Sequence, residues 1–155
     1  MKNLPRHVYR GLRPEEIDAG CILIPKSQRS FVAHPRLPLS LPFILGERPE
    51  HAVREHQWES KFETSGISTT PHFKRAAHYA NGEIIVKIDT SLLEAHEICI
   101  YPVADYVDRQ FICVPEDEEI ILVFKDGCVF PREIIIETIM MQEKIGHDLV
   151  TTPSF

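Results

Sequence analysis

Apolar residues fall in short blocks along the chain, and their spacing changes character near residue 82. His7-Val8-Tyr9-Arg10-Gly11 reads as a short strand ending on a glycine. Pro14-Glu15-Glu16-Ile17 reads as the first turn of a short helix, with proline at N1 and acids facing the positive end of the dipole. Gly20 ends that helix, and Cys21-Ile22-Leu23-Ile24 is a second apolar run, stopped by Pro25. Residues 26–50 hold Pro35, Pro38, Pro42 and Pro49 and predict a long irregular excursion, because proline interrupts helix and ladder hydrogen bonding alike. Such a loop either gates a site or runs over the surface. Glu50 to Trp58 has helical composition. Gly66-Ile67-Ser68-Thr69-Thr70 is strand-like; Thr70 as N-cap and Pro71 at N1 then open a helix through Ala76, Ala77, Tyr79 and Ala80, closed by Asn81-Gly82.

Beyond residue 82 the pattern turns to β. Glu83 to Ile88 is rich in β-branched residues, and the runs Glu97–Tyr101, Gln110–Val114, Glu119–Phe124 and Glu133–Met141 continue the series. In strand alternation Asp117 and Glu119 share a side and Glu118 takes the other. Short connections predict a mostly antiparallel, mixed sheet system. The class is α+β, with strands outnumbering helices, in a single domain over residues 1–155.

Composition narrows the class of function. With 43% apolar and 26% charged residues, the chain closes a real core and is not disordered. Its net charge of -6 is unevenly spread: residues 1–75 hold 12 Lys/Arg and 8 Asp/Glu, residues 76–155 hold 5 and 15. Such a chain can build a cleft with one cationic and one acidic wall. The acidic total argues against broad nucleic-acid binding, which needs many cations on phosphates. Cys21, Cys99, Cys113 and Cys128 show no CxxC pair; three sit in apolar strand-like runs and read as buried thiols in a reducing compartment. No secretory signal opens the chain and no apolar run reaches 18 residues, so a soluble, cytoplasmic protein is expected, with any export by a route that leaves no Sec-type signal.

Three segments carry candidate chemistry. Tyr9-Arg10-Gly11 puts a guanidinium fork at a strand end beside a glycine that admits a ligand to the backbone; alone it is also an ordinary turn. Gly66 to Pro71 offers hydroxyls that can orient a carboxylate, or simply cap a helix. Pro115-Glu116-Asp117-Glu118-Glu119 sets four acids at the mouth of the apolar strand Ile120-Ile121-Leu122-Val123-Phe124; two aimed into one place can divide acid/base and cation-stabilising work, or all can be solvated. His51 and His56 are five apart, whereas helical metal ligands sit four apart, so no metal site is expected. No Gly-x-Gly-x-x-Gly occurs, which excludes a Rossmann crevice for a dinucleotide.

In this order the segments resemble the mono-ADP-ribosyltransferases, in the branch with the Arg, Ser-Thr-Ser and Glu-x-Glu signature that includes cholera toxin's catalytic chain. The likeness extends to Arg13-Pro14-Glu15-Glu16-Ile17, Ile24-Pro25, the helix up to Tyr79 and Phe130-Pro131. It implies an ADP-ribosyltransferase-like core of two packed sheets with a few short helices. It also implies that Arg10, flanked by Tyr9 and Gly11, holds NAD, that Ser68 steadies the catalytic Glu119, and that Thr69 and Thr70 complete the middle motif. Asp117 stands where arginine-modifying members have Glu, and His51 precedes Ser68 by a spacing like that of a histidine near the cholera toxin active site. The implied reaction transfers ADP-ribose from NAD to an acceptor, a protein side chain in a target, by a toxin or effector held in check by an immunity partner, with no membrane or nucleic acid involved. A catalytically inactive module of the same fold that binds NAD or a protein, and a fold relative acting on nucleic acid, are the alternatives.

Overall fold

The computed structural model describes residues 4–26, 53, 65–80, 83–125 and 128–141. His7–Gly11 forms β1, whose alternation sends Val8 and Arg10 to one face and Tyr9 and Gly11 to the other. Pro14–Asp18 forms the one-turn helix α1, with proline in its first turn and Arg13 as N-cap. Next among the described elements come β2 (Ile67–Thr69), α2 (Phe73–Tyr79), β3 (Ile84–Asp89), β4 (Cys99–Pro102), β5 (Ile120–Val123) and β6 (Ile135–Met140), separated in the second half by 3-10 turns.

The described strands make two three-stranded sheets, ordered β1-β3-β6 and β2-β5-β4. Every pairing among the described residues is antiparallel, in keeping with the expected mostly antiparallel system. In the first sheet Arg10 lies opposite Val86; in the second Ser68 lies opposite Ile121. The sheets meet at one bridge, where Tyr9 N donates to Thr70 O (2.7 Å) and Thr70 N to Tyr9 O (3.0 Å).

Both sheets feed one core: Val8, Val86 and Ile88 from the first, Ile67, Ile120 and Leu122 from the second, closed by Leu23, Leu93, Phe130 and Ile134. Each such side chain stabilises the fold by roughly 1.5–3 kcal/mol through the area it removes from water. On the outer face of the first sheet α2 packs Ala76, Ala77 and Ala80 against Ile85 and Ile139. Small residues there let the helix backbone come close. An ideal Cβ on Gly11 would meet Ala76 O and Ala80 N at 2.6 Å. The glycine's bareness is taken up by the helix, on the opposite face of β1 from Arg10.

Four local expectations change. Residues 110–114 are not a strand: Arg109–Phe111 is a 3-10 turn, with Phe111 61% exposed and only Ile112 packed inward. Cys99, Cys113 and Cys128 are exposed, and only Cys21, half-buried, packs against the core. Thr70 does not cap α2, whose N-cap is His72; its hydroxyl accepts from His72 N in a local turn (3.1 Å). Asp117 belongs to a 3-10 turn over Pro115–Asp117, followed by Glu118 at φ 46°, so strand alternation does not extend back to it. The excursion after Lys26 lies outside the described residues, as does the stretch Glu50 to Trp58 except Val53, which is helical and buried beside Val103, Val107 and Ile121.

Candidate active site

β1 and β2 part beyond the Tyr9–Thr70 bridge, and a cleft of about 370 Å3 opens between them. Its size falls in the ordinary range for small-molecule sites. Arg10, Arg13 and Lys26 bring positive charge to its lining, and Asp117 and Glu119 bring negative charge.

Arg10 arrives through β1 alternation on the same face as the core residue Val8. Its NH1 donates to Ser68 O (3.0 Å), while Nε and NH2 reach the Glu16 carboxylate at 3.1–3.3 Å. The Arg10 side chain is 11% exposed and that of Glu16 fully enclosed. Glu16 also accepts from the backbone N–H of Arg13 (2.9 Å) and of Ile24 (3.0 Å). A carboxylate with a guanidinium and two backbone donors is the satisfied form of a buried ion pair. Arg13 turns outward to Glu15 (2.7 Å) and also donates to Ile24 O. Arg10 therefore ties β1 to β2 through NH1 and to α1 through Nε and NH2, and at most one N–H on each terminal nitrogen is left to meet a ligand.

Ser68 and Glu119 meet across the second sheet. Glu119 extends β5 by one residue and shares a side with Ile121, and Ser68 opposite Ile121 is then its diagonal neighbour. Ser68 Oγ donates to Glu119 Oε2 at 2.5 Å, the short distance of a hydroxyl-to-carboxylate bond. Arg10, Ser68 and Glu119, widely separated in the chain, thus share one cleft.

Of the other expected residues, Tyr9, Gly11, Thr69, Thr70 and Asp117 line the cleft in supporting positions. The Thr69 hydroxyl donates to Ile120 O (2.7 Å) and that of Thr70 to Asp117 O (2.6 Å), so both hold the segment that carries Glu119. Tyr9 packs edge-on against Phe73, ring centroids 5.6 Å apart. Asp117 accepts from Arg75 Nε (2.6 Å) and Tyr79 OH (2.5 Å), an arrangement different from a carboxylate facing an acceptor. His51 lies outside the described residues.

Glu16, Arg75 and Tyr79 were not among the expected site residues. Arg75 and Tyr79 stand at i,i+4 on α2, a spacing that places two side chains on one helix face and could have paired them in advance. Glu16 carries no such signal, since it reads as an acid of the first helical turn. Set against family models, curated proteins and solved structures, the chain gives no match. What the cleft can do follows from its own geometry.

Proposed function

We propose that the protein is an NAD-dependent mono-ADP-ribosyltransferase acting in a cytoplasm, with a target-protein side chain as acceptor and an immunity protein as a natural partner. The observation that carries this reading is the Ser68–Glu119 hydrogen bond in a cleft that Arg10 also lines. Among the described residues no helix is long and apolar enough to cross a membrane.

In this reading NAD is the substrate. The bond between nicotinamide nitrogen and ribose C1′ breaks with its electron pair going to nicotinamide, which leaves neutral. Positive charge develops on the ribose, as in glycoside cleavage. Glu119, its rotamer fixed by Ser68, faces that charge and stabilises the transition state more than the ground state. The acceptor then attacks C1′ and its proton leaves to solvent. Arg10 contributes charge-assisted hydrogen bonds to the dinucleotide through its remaining N–H groups.

Incubation of the full chain with labelled NAD, with and without a cell lysate, tests this directly. Nicotinamide release and labelled protein are expected, and Glu119→Gln should lower both on the order of 10²–10³-fold. Equal rates in parent and variant, or no NAD consumption by the parent, would overturn the proposal. A second reading, a module that binds NAD or a protein without turnover, draws on Asp117 being already engaged by Arg75 and Tyr79. Such a binder protects NAD where an enzyme consumes it.

A further inference from the structure

Two donors from one face of α2 meet Asp117. Arg75 Nε reaches Oδ1 (2.6 Å) and Tyr79 OH reaches Oδ2 (2.5 Å), and the Arg75 guanidinium lies 5.7 Å from the centre of the Tyr79 ring. Thr70 Oγ1 holds the carbonyl of the same residue (2.6 Å). Asp117 is only 9% exposed, enclosed by these partners.

The residue after it makes the clasp consequential. Glu118 adopts φ 46°, ψ 50°, a left-handed conformation disfavoured for a residue with a Cβ, so the turn stands only where neighbours hold it. From that turn the chain passes directly to Glu119 and β5. His72 Nε2 adds a contact to Glu118 Oε1 (2.7 Å) on the exposed side. A base swinging its carboxylate toward an incoming acceptor would first have to break both side-chain bonds of Asp117.

We infer, building on the transferase reading, that Asp117 is a positioning residue rather than a proton acceptor. With Arg75 and Tyr79 it fixes the turn that delivers Glu119 to Ser68, and Glu119 is the carboxylate that meets substrate. Burial and the hydrogen bond to Asp117 both push the Tyr79 hydroxyl above its ordinary range, which keeps it a donor through neutral pH. Hydrogen bonds to Asp117 and Tyr79 likewise hold the Arg75 guanidinium in its charged form.

The test uses the full chain and its Tyr79→Phe and Asp117→Asn variants. Three quantities are measured: nicotinamide release without acceptor, protein labelling in a lysate, and amide hydrogen exchange across residues 116–123. Tyr79→Phe removes one donor and leaves the carboxylate in place. It should slow release and labelling together, roughly three- to tenfold, the factor one lost hydrogen bond is worth. Asp117→Asn should lower both further at an unchanged ratio, with the pH profile of labelling keeping its shape. In both variants exchange at the amides of Glu118 and Glu119 should accelerate. Loss of labelling with release preserved in Asp117→Asn would make Asp117 the proton acceptor and overturn the inference. Unchanged exchange at those two amides would overturn it as well. If the parent releases no nicotinamide, the transferase reading fails, and the exchange measurement by itself decides whether the clasp exists.

Discussion

Replacing Glu16 by Gln changes one atom at a fully enclosed position and should unsettle the whole cationic wall of the cleft. Oε1 receives Arg10 NH2 (3.1 Å), Arg10 Nε (3.3 Å) and the Arg13 N–H (2.9 Å); Oε2 receives Arg10 Nε (3.2 Å) and the Ile24 N–H (3.0 Å). Whichever position the amide nitrogen of Gln takes, it turns donors toward donors, and the Arg10 guanidinium at 11% exposure loses its counter-charge. Breaking a buried pair from one side costs about 3–5 kcal/mol. In a domain of this size 1 kcal/mol moves Tm by about 2–4 °C, so a fall of roughly 6–20 °C is expected. Urea unfolding checks the free energy independently, with an unchanged m-value showing that the same surface unfolds. The double variant Arg10→Met/Glu16→Gln removes both charges and keeps an amide oxygen for one of the two backbone N–H groups, so it should lose less than the sum of the two single variants. A loss below about 1 kcal/mol in Glu16→Gln, or single-variant losses that add in full in the double, would refute the claim that this pair is buried and mutually dependent.

Three further outcomes are expected. Gly11→Ala places a Cβ 2.6 Å from Ala76 O and Ala80 N and 2.8 Å from Ala80 Cα, so α2 must shift; a loss of about 1–3 kcal/mol is expected, and a melting temperature equal to the parent's would rule out the close approach. Ser68→Ala deletes the 2.5 Å bond to Glu119 and should slow nicotinamide release about tenfold while costing only about 1 kcal/mol of stability; undiminished turnover would separate Ser68 from the reaction. Arg6 Nε (2.9 Å) and Ser91 donate to Asp89 and hold its carboxyl well below the usual carboxylate range. A depressed folded-state value contributes stability that is complete above about pH 3.9 and is lost as pH falls further. Asp89→Asn should therefore flatten the acid limb of the stability curve below about pH 4, and parallel limbs in parent and variant would show that Asp89 does not contribute.

Much of the fold could be read from local pattern because the pattern reports burial. β1 was expected over the residues it occupies, and the β-branched run at 84–88 and the apolar runs at 120–123 and 135–140 became β3, β5 and β6. Residues 110–114 have similar composition but a different outcome. Both edges of β5 are taken by β2 and β4, and Pro115 lacks the N–H a continuing ladder needs. Strand propensity is a statement about fit to a half-buried pleat, and only Ile112 found such a place. The site divides in the same way. Arg10 and Ser68 stand on strands and Glu119 directly before one, all in recognisable segments, and strand pairing brings them to one cleft. Glu16 acts through contacts outside its own helix and leaves little trace in a local window, whereas for Arg75 and Tyr79 the window shows the shared helix face but not the distant partner, Asp117.

The strand order also sets when the cleft comes into existence during translation. Arg10 needs Ser68, 58 residues later, and Ser68 needs Glu119, 51 residues further on. Among the described strands β1 finds its sheet partner in β3 and β2 finds its partner in β5, so neither ladder can form until the later strand is made. At 5–20 residues per second the ribosome takes about 5–20 s to pass from the first of these groups to the last. Through that interval a nascent chain carries Arg10 and Ser68 without the carboxylate that completes them. On the proposed transferase reading, chains still short of β5 lack Glu119 and cannot turn over NAD, and restraint by the proposed partner need begin only once β5 has been synthesised and paired.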